Sequence, residues 1–509
     1  MTGPDSSLAN RARAWREADP DPETRAELGR LLGQLAGDGD TAALADRFEG
    51  SLAFGTAGIR AEMGAGPMRM NRLVAGRVAA GLARYISAQD PDGAAAGVVI
   101  GYDGRANSAV FAADAARILA RAGVSVSLLP RALPTPVLAF AVRHLEAAYG
   151  VMVTASHNPR QDNGIKVYVR DGGQLLPPAD AAVAAAIETV DPLRLPAGWA
   201  EGPFPFQPAD AAVRAYVTAV AAGGRHLAGW PPLKVVHTAL HGVGDATLRA
   251  VLAAAGWPPP VPVAAQQEPD PGFPTVPYPN PEAAGVLDLA RAAAEREDAD
   301  LVLANDPDAD RLAVMLPGPG GWRMLTGDEL GALLGDAVVS RLAAAGPAAA
   351  APVVATTVVS GSLLRGLAQA AGVRCVTTLT GFKWIARAGG TAGILAYGYE
   401  QALGYAVRPD LVADKDGISA ALLILQLAAE QARAGRTLAD RLDDLGLARG
   451  VHVTRERSLR ADGAGGLARL ADAVKRVRKD PPGQLGGQPV TVTDLRDGGG
   501  GVVDLAGGT

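Results

Sequence analysis

The sequence predicts an α/β protein of three similar units with mixed sheets around a central cleft, followed by an incomplete C-terminal α+β unit. Three observations carry this expectation. Apolar strand-like runs alternate with segments of helical period. Two of those runs end in polar loops rich in reactive side chains. The strand–helix rhythm also restarts twice along the 509 residues, a length too great for one core and expected to hold three or four domains.

In chain order, the first fifty residues read as helical, with apolar residues three and four apart over 23–35 and 40–48. A glycine-punctuated turn follows, Phe54-Gly55-Thr56-Ala57-Gly58-Ile59-Arg60. Residues 98–103 read as a strand with a polar end, 108–121 as a helix and 124–129 as the next strand. Pro134 and Pro136 open another helix, because proline in a first turn sacrifices no hydrogen bond. The apolar run 149–153 completes a βαβαβ series. A second series has a strand at 233–238, a loop at 241–244 and a helix at 245–255. A proline-laden connection, 258–281, then leads through a helix to a strand at 301–304. After a hairpin-like stretch containing Pro317, Gly318 and Pro319, the third series opens at Gly327-Asp328-Glu329. It holds strands at 353–358, 374–379 and 393–397 and an apolar helix at 418–434. Seams near 205, 320 and 437 divide the chain into 1–205, 206–320, 321–437 and 438–509.

The first reactive loop is Thr154-Ala155-Ser156-His157-Asn158-Pro159. A serine on the loop after a buried strand sits where open α/β sheets bind ligands. The adjacent histidine can polarise its hydroxyl or a bound phosphate, and asparagine and proline favour a tight non-helical turn. Taken alone, the Ser–His pair also fits an ordinary polar loop.

The second loop is Asp306-Pro307-Asp308-Ala309-Asp310-Arg311. Carboxylates at alternate positions cannot share one face of a helix, but an extended loop lets them converge on one divalent cation. Their mutual repulsion calls for such a cation, and three protein oxygens leave room for water and a phosphate, which suits Mg²⁺. An EF-hand is excluded, since its required glycine falls on Arg311 and its terminal glutamate on Pro317. A haloacid-dehalogenase-type site fits poorly, because Asp310 stands where a small hydroxyl or apolar residue is expected. The arginine next to the aspartates favours phosphate chemistry over a merely solvated acidic loop.

Composition narrows the class of function. The net charge of −5 gives no general attraction to nucleic acid or an anionic membrane, so a phosphorylated ligand must be drawn by local arginines and lysines. Hydrophobic residues make up 48%, much of it alanine, and aromatics only 5%, so cores are feasible but built from small side chains. Cys375, the lone cysteine, lies in a strand-like run as a core residue. The N-terminus is rich in Arg, Glu and Asp and has no hydrophobic signal region. The longest uncharged run, 342–362, contains Pro347 and Pro352 and reads as helix end, loop and strand, not as a membrane span. A soluble, cytoplasmic protein is expected.

Six segments in order resemble the α-D-phosphohexomutases, closest to the longer phosphoglucomutase/phosphomannomutase branch that includes phosphopentomutases. They are the turn ending at Arg60, the Ser156 loop, the aspartate loop, Thr380-Gly381-Phe382-Lys383-Trp384, Tyr399-Glu400-Gln401-Ala402-Leu403-Gly404 and Asp414-Lys415-Asp416-Gly417. The resemblance runs from about Trp15 to at least Ala434. It implies a mutase that shifts a phosphoryl group between the 1- and 6-positions of a hexose phosphate. Ser156 would carry the phosphoryl group, bridged to Mg²⁺ held by Asp306, Asp308 and Asp310, with a sugar 1,6-bisphosphate as intermediate and activator. Arg60 and Arg311 would neutralise the transferring phosphate, Lys166 would move a proton, and His157 would orient the serine phosphate. Lys383, Glu400 and Gln401 would hold the sugar, Lys415 would touch phosphate, and Trp384 would pack. The expected partners are small-molecule sugar phosphates, with the chain a monomer or homodimer.

Two departures qualify the resemblance. The family usually has a second acidic residue where this chain has Gln401, so a pentose phosphate remains an alternative substrate to glucose or mannose phosphate. The family's fourth domain carries an Arg-x-Ser-Gly-Thr-Glu-Pro loop that grips the non-reacting phosphate, and no such loop is present here. Instead a helical stretch at 466–479 and a strand-like 489–495 lead into Gly498–Gly501 and Thr509. One lost bidentate clamp would cost ~3 kcal/mol, on the order of a hundredfold in rate. The expectation is therefore a mutase of reduced efficiency or, alternatively, a pseudoenzyme that binds metal and phosphosugar.

Overall fold

A computed structural model describes the chain except residues 1–3, 38–39, 56–57, 228, 347–350, 391–392, 456–462, 496–501 and 504–509. Three mixed sheets repeat one strand order. In the first, Asp162–Val169, Tyr149–Val153, Val98–Tyr102 and Val126–Leu128 are successive neighbours, extended by Gly58–Glu62 at one edge and Gln207–Pro208 at the other. The second has Leu312–Leu316, Leu301–Asn305, Val235–Thr238 and Val261–Pro262 in corresponding places. The third has Gly404–Ala406, Ile394–Glu400, Pro352–Thr357 and Arg374–Thr378. Within each, the three inner strands run parallel and the last one reverses into an antiparallel neighbour.

Parallel strands covered on both faces must be apolar throughout, and every residue of Tyr149–Val153 and Leu301–Asn305 is buried. The reversal after each such strand is where polarity is admitted. Ser156 lies in the first reversal, the three aspartates in the second, and Glu400 and Gln401 at the third. One topology thus delivers three functional loops to a common place.

The expected elements recur with shifted ends, such as Pro22–Gly37, Ala42–Phe48 and Gly417–Arg433. The sequence does not signal the strand Asp162–Val169, because Asp162, Asn163, Gly164 and Lys166 interrupt its apolar pattern. It also gives no warning of the helix Leu438–Arg449, which is closed by a Thr437/Asp440 capping box. The expected helix at 466–479 is present as Gly463–Lys479. The expected strand at 489–495 needs correction: only Gln488–Pro489 pairs, with Gln484–Leu485, and residues 490–495 are not in a strand. Extended backbone joins a sheet only where a neighbouring strand takes its N–H and C=O groups. Thr56, Ala57, Gly498–Gly501 and Thr509 lie outside the described residues. Cys375 is half-buried in Arg374–Thr378, and burial pushes its thiol up to about 11. Among the described residues, no helix is long and apolar enough to cross a membrane.

Two packing features hold the loops in place. Gly242 faces the aspartate loop so closely that a Cβ there would stand 2.3 Å from Pro307 Cα. Arg105, 4% exposed, donates to the carbonyls of Ser156 and Asn158 at 2.6 Å each and to those of Pro159 and Asp162 at 2.8 and 3.2 Å. Its guanidinium lies 5.1 Å from the Phe273 ring centroid, in the second unit. Asp103, also buried, accepts from the Thr154 and Ser108 hydroxyls at 2.7 Å each, and Thr154 Oγ1 accepts from the Ser156 N–H at 2.8 Å. These bonds offset the left-handed backbone of Ser156, φ 49°, which costs a non-glycine residue about 1–3 kcal/mol.

Two outcomes are expected. Gly242→Ala should destabilise the chain by about 1–3 kcal/mol through overpacking, read as a lowered urea midpoint. Arg105→Met should cost about 3–5 kcal/mol, because it leaves Asp103 buried without its compensating charge. In the same titration, adding Asp103→Asn should recover part of that loss, and strictly additive losses would refute the coupling.

Candidate active site

A cavity of about 300 Å³ lies where the three reversals meet, with Ser156, Asp310, Arg311 and Glu400 in its wall. Larger hollows of about 560 and 890 Å³ occur elsewhere. Among the described residues, however, only Asp306, Asp308 and Asp310 form a cluster with metal-ligand spacing, their ligand atoms lying within 4.8 Å of one another.

All three aspartates are essentially inaccessible, at 0%, 0% and 1% exposed. Their loop is gripped from both neighbouring units. From the first, the Thr135 N–H and hydroxyl donate to Asp308 O and Oδ2 at 2.9 and 2.6 Å. From the third, the Gly417 and Leu403 backbones bond to Ala309 and Leu312 at 3.2 Å each. Within the loop, the Arg311 N–H donates to Asp306 Oδ1 at 3.1 Å, and Ala309 adopts a left-handed φ of 53°.

The site's cations also come from different units. Lys166 Nζ stands 2.8 Å from Asp308 Oδ2 and 3.1 Å from Asp310 Oδ2. Lys415 Nζ is 3.3 Å from Asp310 and 3.5 Å from Asp414. Arg311 Nε is 3.7 Å from Asp310, and the same guanidinium donates to Ala402 O at 3.0 Å. Burial, joined by Asp308 and Asp310, raises the Asp306 carboxyl well above its usual range. Burial opposes ionisation of Asp308 and Asp310 too, but Lys166 holds both below the carboxylate range, aided by Thr135 on the first and by Lys415 and Arg311 on the second. Burial alone would lower Lys166 and Lys415, yet the facing aspartates raise both.

Ser156 Oγ donates to Asp306 Oδ2 at 3.0 Å and lies 3.4 Å from His157 Nδ1. Burial, then Arg311 and Arg60, push His157 down to about 3, leaving a neutral ring at physiological pH. Arg60 reaches the cavity from the edge strand Gly58–Glu62 and donates to Asn158 Oδ1 at 2.8 Å. Asp308 Oδ1 and Asp310 Oδ1 are buried with no hydrogen-bond partner. Orphaned hard oxygens beside Asp306 suit a divalent cation such as Mg²⁺.

The structure brings Ser156, Lys166, Arg60, Arg311, Glu400 and Lys415 to one cavity wall. Two expected sugar contacts are placed differently. Gln401 turns away: its Oε1 accepts from Ser360 and Thr357 at 3.2 and 3.4 Å, because successive side chains at a strand end point to opposite faces. Lys383 Nζ lies 3.6 Å from Asp180 and 5.2 Å from the Trp384 ring centroid, while its neighbours Gly381 and Phe382 line the cavity. Sequence reasoning misses Arg105, Thr135 and Gln174. The only available signal was the polar end of the strand at Asp103, two residues before Arg105.

Three domain families match the chain: phosphoglucomutase/phosphomannomutase alpha/beta/alpha domain I over residues 51–194, domain II over 214–319 and domain III over 326–446. A probable phosphomannomutase of Haemophilus influenzae is 42% identical over 435 residues, covering 83% of this chain and 84% of that protein. The phosphopentomutase of Homo sapiens is 36% identical over 476 residues, covering 89% and 77%. A solved structure, a putative phosphomannomutase from Thermus thermophilus, superposes with a TM-score of 0.65 at 28% identity, covering 79% of this chain and 85% of that one. The chain belongs to the phosphoglucomutase/phosphomannomutase family and is a mutase of the phosphohexomutase type.

Proposed function

We propose that the protein moves a phosphoryl group between the 1- and 6-positions of a hexose phosphate, glucose, mannose or both, through a phosphoserine at Ser156 and a sugar 1,6-bisphosphate. The observation that carries this reading is Ser156 Oγ 3.0 Å from Asp306, at the wall of a cavity ringed by Arg60, Arg311, Lys166 and Lys415. A nucleophile held beside three carboxylates is useless for accepting a phosphate unless positive charge surrounds both. That charge is present.

Asp306, Asp308 and Asp310 would hold Mg²⁺, which supplies charge neutralisation to the transferring phosphoryl group. The chain's own residues do the rest. The bond from phosphorus to Ser156 Oγ breaks as one forms to the sugar hydroxyl. Lys166 gives a proton from Nζ to the departing serine oxygen and takes up the proton that the sugar hydroxyl releases, so its own charge is restored. The second phosphate of the bisphosphate then returns to Ser156, and the isomer leaves. Arg60 and Arg311 neutralise phosphate oxygens, the neutral His157 ring accepts or donates one hydrogen bond beside Ser156, and Glu400 accepts from sugar hydroxyls. Catalysis of this kind is positioning and electrostatics, so buried, pre-oriented charges are what it requires.

The same proposal divides the chain near 205, 320 and 437, supported at the first two by the separate sheets that flank them, whereas Val502–Val503 beyond the third seam pairs with Thr377 and Thr378 of the third sheet. It places the protein in the cytoplasm as a monomer or homodimer acting on small sugar phosphates, with no nucleic-acid or membrane partner. A pentose phosphate is the second reading, favoured by the phosphopentomutase relative and by a Gln401 that leaves Glu400 as the acidic residue facing the sugar.

With Mg²⁺ and glucose 1,6-bisphosphate as primer, purified protein should convert glucose 1-phosphate to glucose 6-phosphate. Ser156→Ala should abolish turnover, and EDTA should do so reversibly. Unchanged activity in Ser156→Ala would refute the phosphoserine route. An intact phosphate on Ser156 by mass spectrometry, with no turnover of hexose or pentose phosphates, would show a binding protein instead.

A further inference from the structure

Gln174 stands in the cavity wall and has no part in the chemistry above. It follows the strand Asp162–Val169 and is 8% exposed. Its turn is fixed: Arg387 donates to Asp171 Oδ1 at 2.9 Å, Asp171 Oδ1 also accepts from the Gly173 N–H at 2.8 Å, and a Cβ on Gly173 would meet the Arg387 guanidinium at 2.8 Å. Gln174 Nε2 donates to Asp414 Oδ2 at 2.8 Å. Asp414 faces Lys415, and Lys415 faces Asp310, so a polar row joins the aspartate loop to Gln174 through the third unit.

That row settles the amide's orientation. A carboxylate only accepts, so the nitrogen must face Asp414 and the oxygen must point elsewhere. No donor meets Gln174 Oε1 among the described residues, nor is it one of the buried atoms lacking partners. It is therefore an acceptor open to the cavity. The other charged walls, Arg60, Arg311, Lys166 and Lys415, suit phosphate oxygens, whereas an amide oxygen repels them. It suits a hydroxyl.

We propose that Gln174 Oε1 accepts a hydrogen bond from one ring hydroxyl of the bound sugar phosphate, so that Gln174 is a specificity residue supplied by the first unit alongside Glu400 from the third. This inference rests on the mutase reading. Sugar discrimination is then divided between two units, and the Gln174–Asp414 bond keeps their two acceptors in register. A buried acceptor left unpaired by the wrong epimer is the source of selectivity.

Binding in the Ser156→Ala chain tests this without turnover. Dissociation constants for glucose 6-phosphate, mannose 6-phosphate and ribose 5-phosphate, with Mg²⁺, are measured by calorimetry with and without Gln174→Ala. The preferred sugar should weaken by about tenfold, the worth of one hydrogen bond, and at least one other sugar by much less. Equal weakening of all three, or none, would overturn the inference while leaving the mutase reading intact. If the Ser156→Ala parent binds none of the three, the mutase reading falls and takes this inference with it. Should Gln174→Ala fail to fold, Gln174→Met, which keeps the volume but lacks the carbonyl, gives the same comparison.

Discussion

Everything in the structure depends on burying three carboxylates at one point. Asp306, Asp308 and Asp310 are withdrawn from water, and each would be costly there alone. Lys166 from the first unit, Arg311 from the loop itself and Lys415 from the third oppose them. Each unit supplies one of these three charges. Docking of the three units is therefore tied to forming the site, since separating the first or the third unit from the second strips a counter-charge from the aspartates. The backbone bonds from Thr135, Leu403 and Gly417 to the same loop reinforce this.

The repeated topology explains how the loops arrive together. Each sheet ends its parallel run in a reversal, and a reversal is where a buried sheet can present polar atoms without leaving ladder groups unpaired. Ser156 adds a strained backbone to this plan, and Arg105 supplies the bonds that hold it. Because Arg105 also packs on Phe273, the serine loop senses the second unit through an aromatic contact as well as through Asp306.

The sequence exposes residues whose partners are close in the chain and hides those whose partners are distant. The Ser156 and aspartate loops are legible because the reactive groups are contiguous and follow recognisable strands. Thr135 is invisible, since Asp308 lies 173 residues away, and so is Gln174, whose partner Asp414 lies 240 residues away. Gln401 is different: its orientation could have been anticipated. Glu400 ends its strand and Gln401 follows directly, so continuing the strand's alternation turns the two side chains to opposite faces. The strand Asp162–Val169 escaped because its functional residues break the very pattern that marks a strand.

Charge balance gives the proposed chemistry its logic. If all three aspartates are ionised, as binding a divalent cation requires, they balance Lys166, Lys415 and Arg311. With no cation bound, burial and its two neighbours, Asp308 and Asp310, favour a neutral Asp306. Adding a divalent cation to the orphaned oxygens of Asp308 and Asp310 would leave two positive charges uncompensated in a dry site. A phosphate ester on Ser156, whose Oγ lies 3.0 Å from Asp306, would carry about two negative charges and restore neutrality. Cation and phosphoserine should therefore stabilise each other, and in the proposed cycle loss of the bisphosphate would leave the site short of negative charge. That deficit would oppose release of the bisphosphate before one of its phosphates returned to the serine.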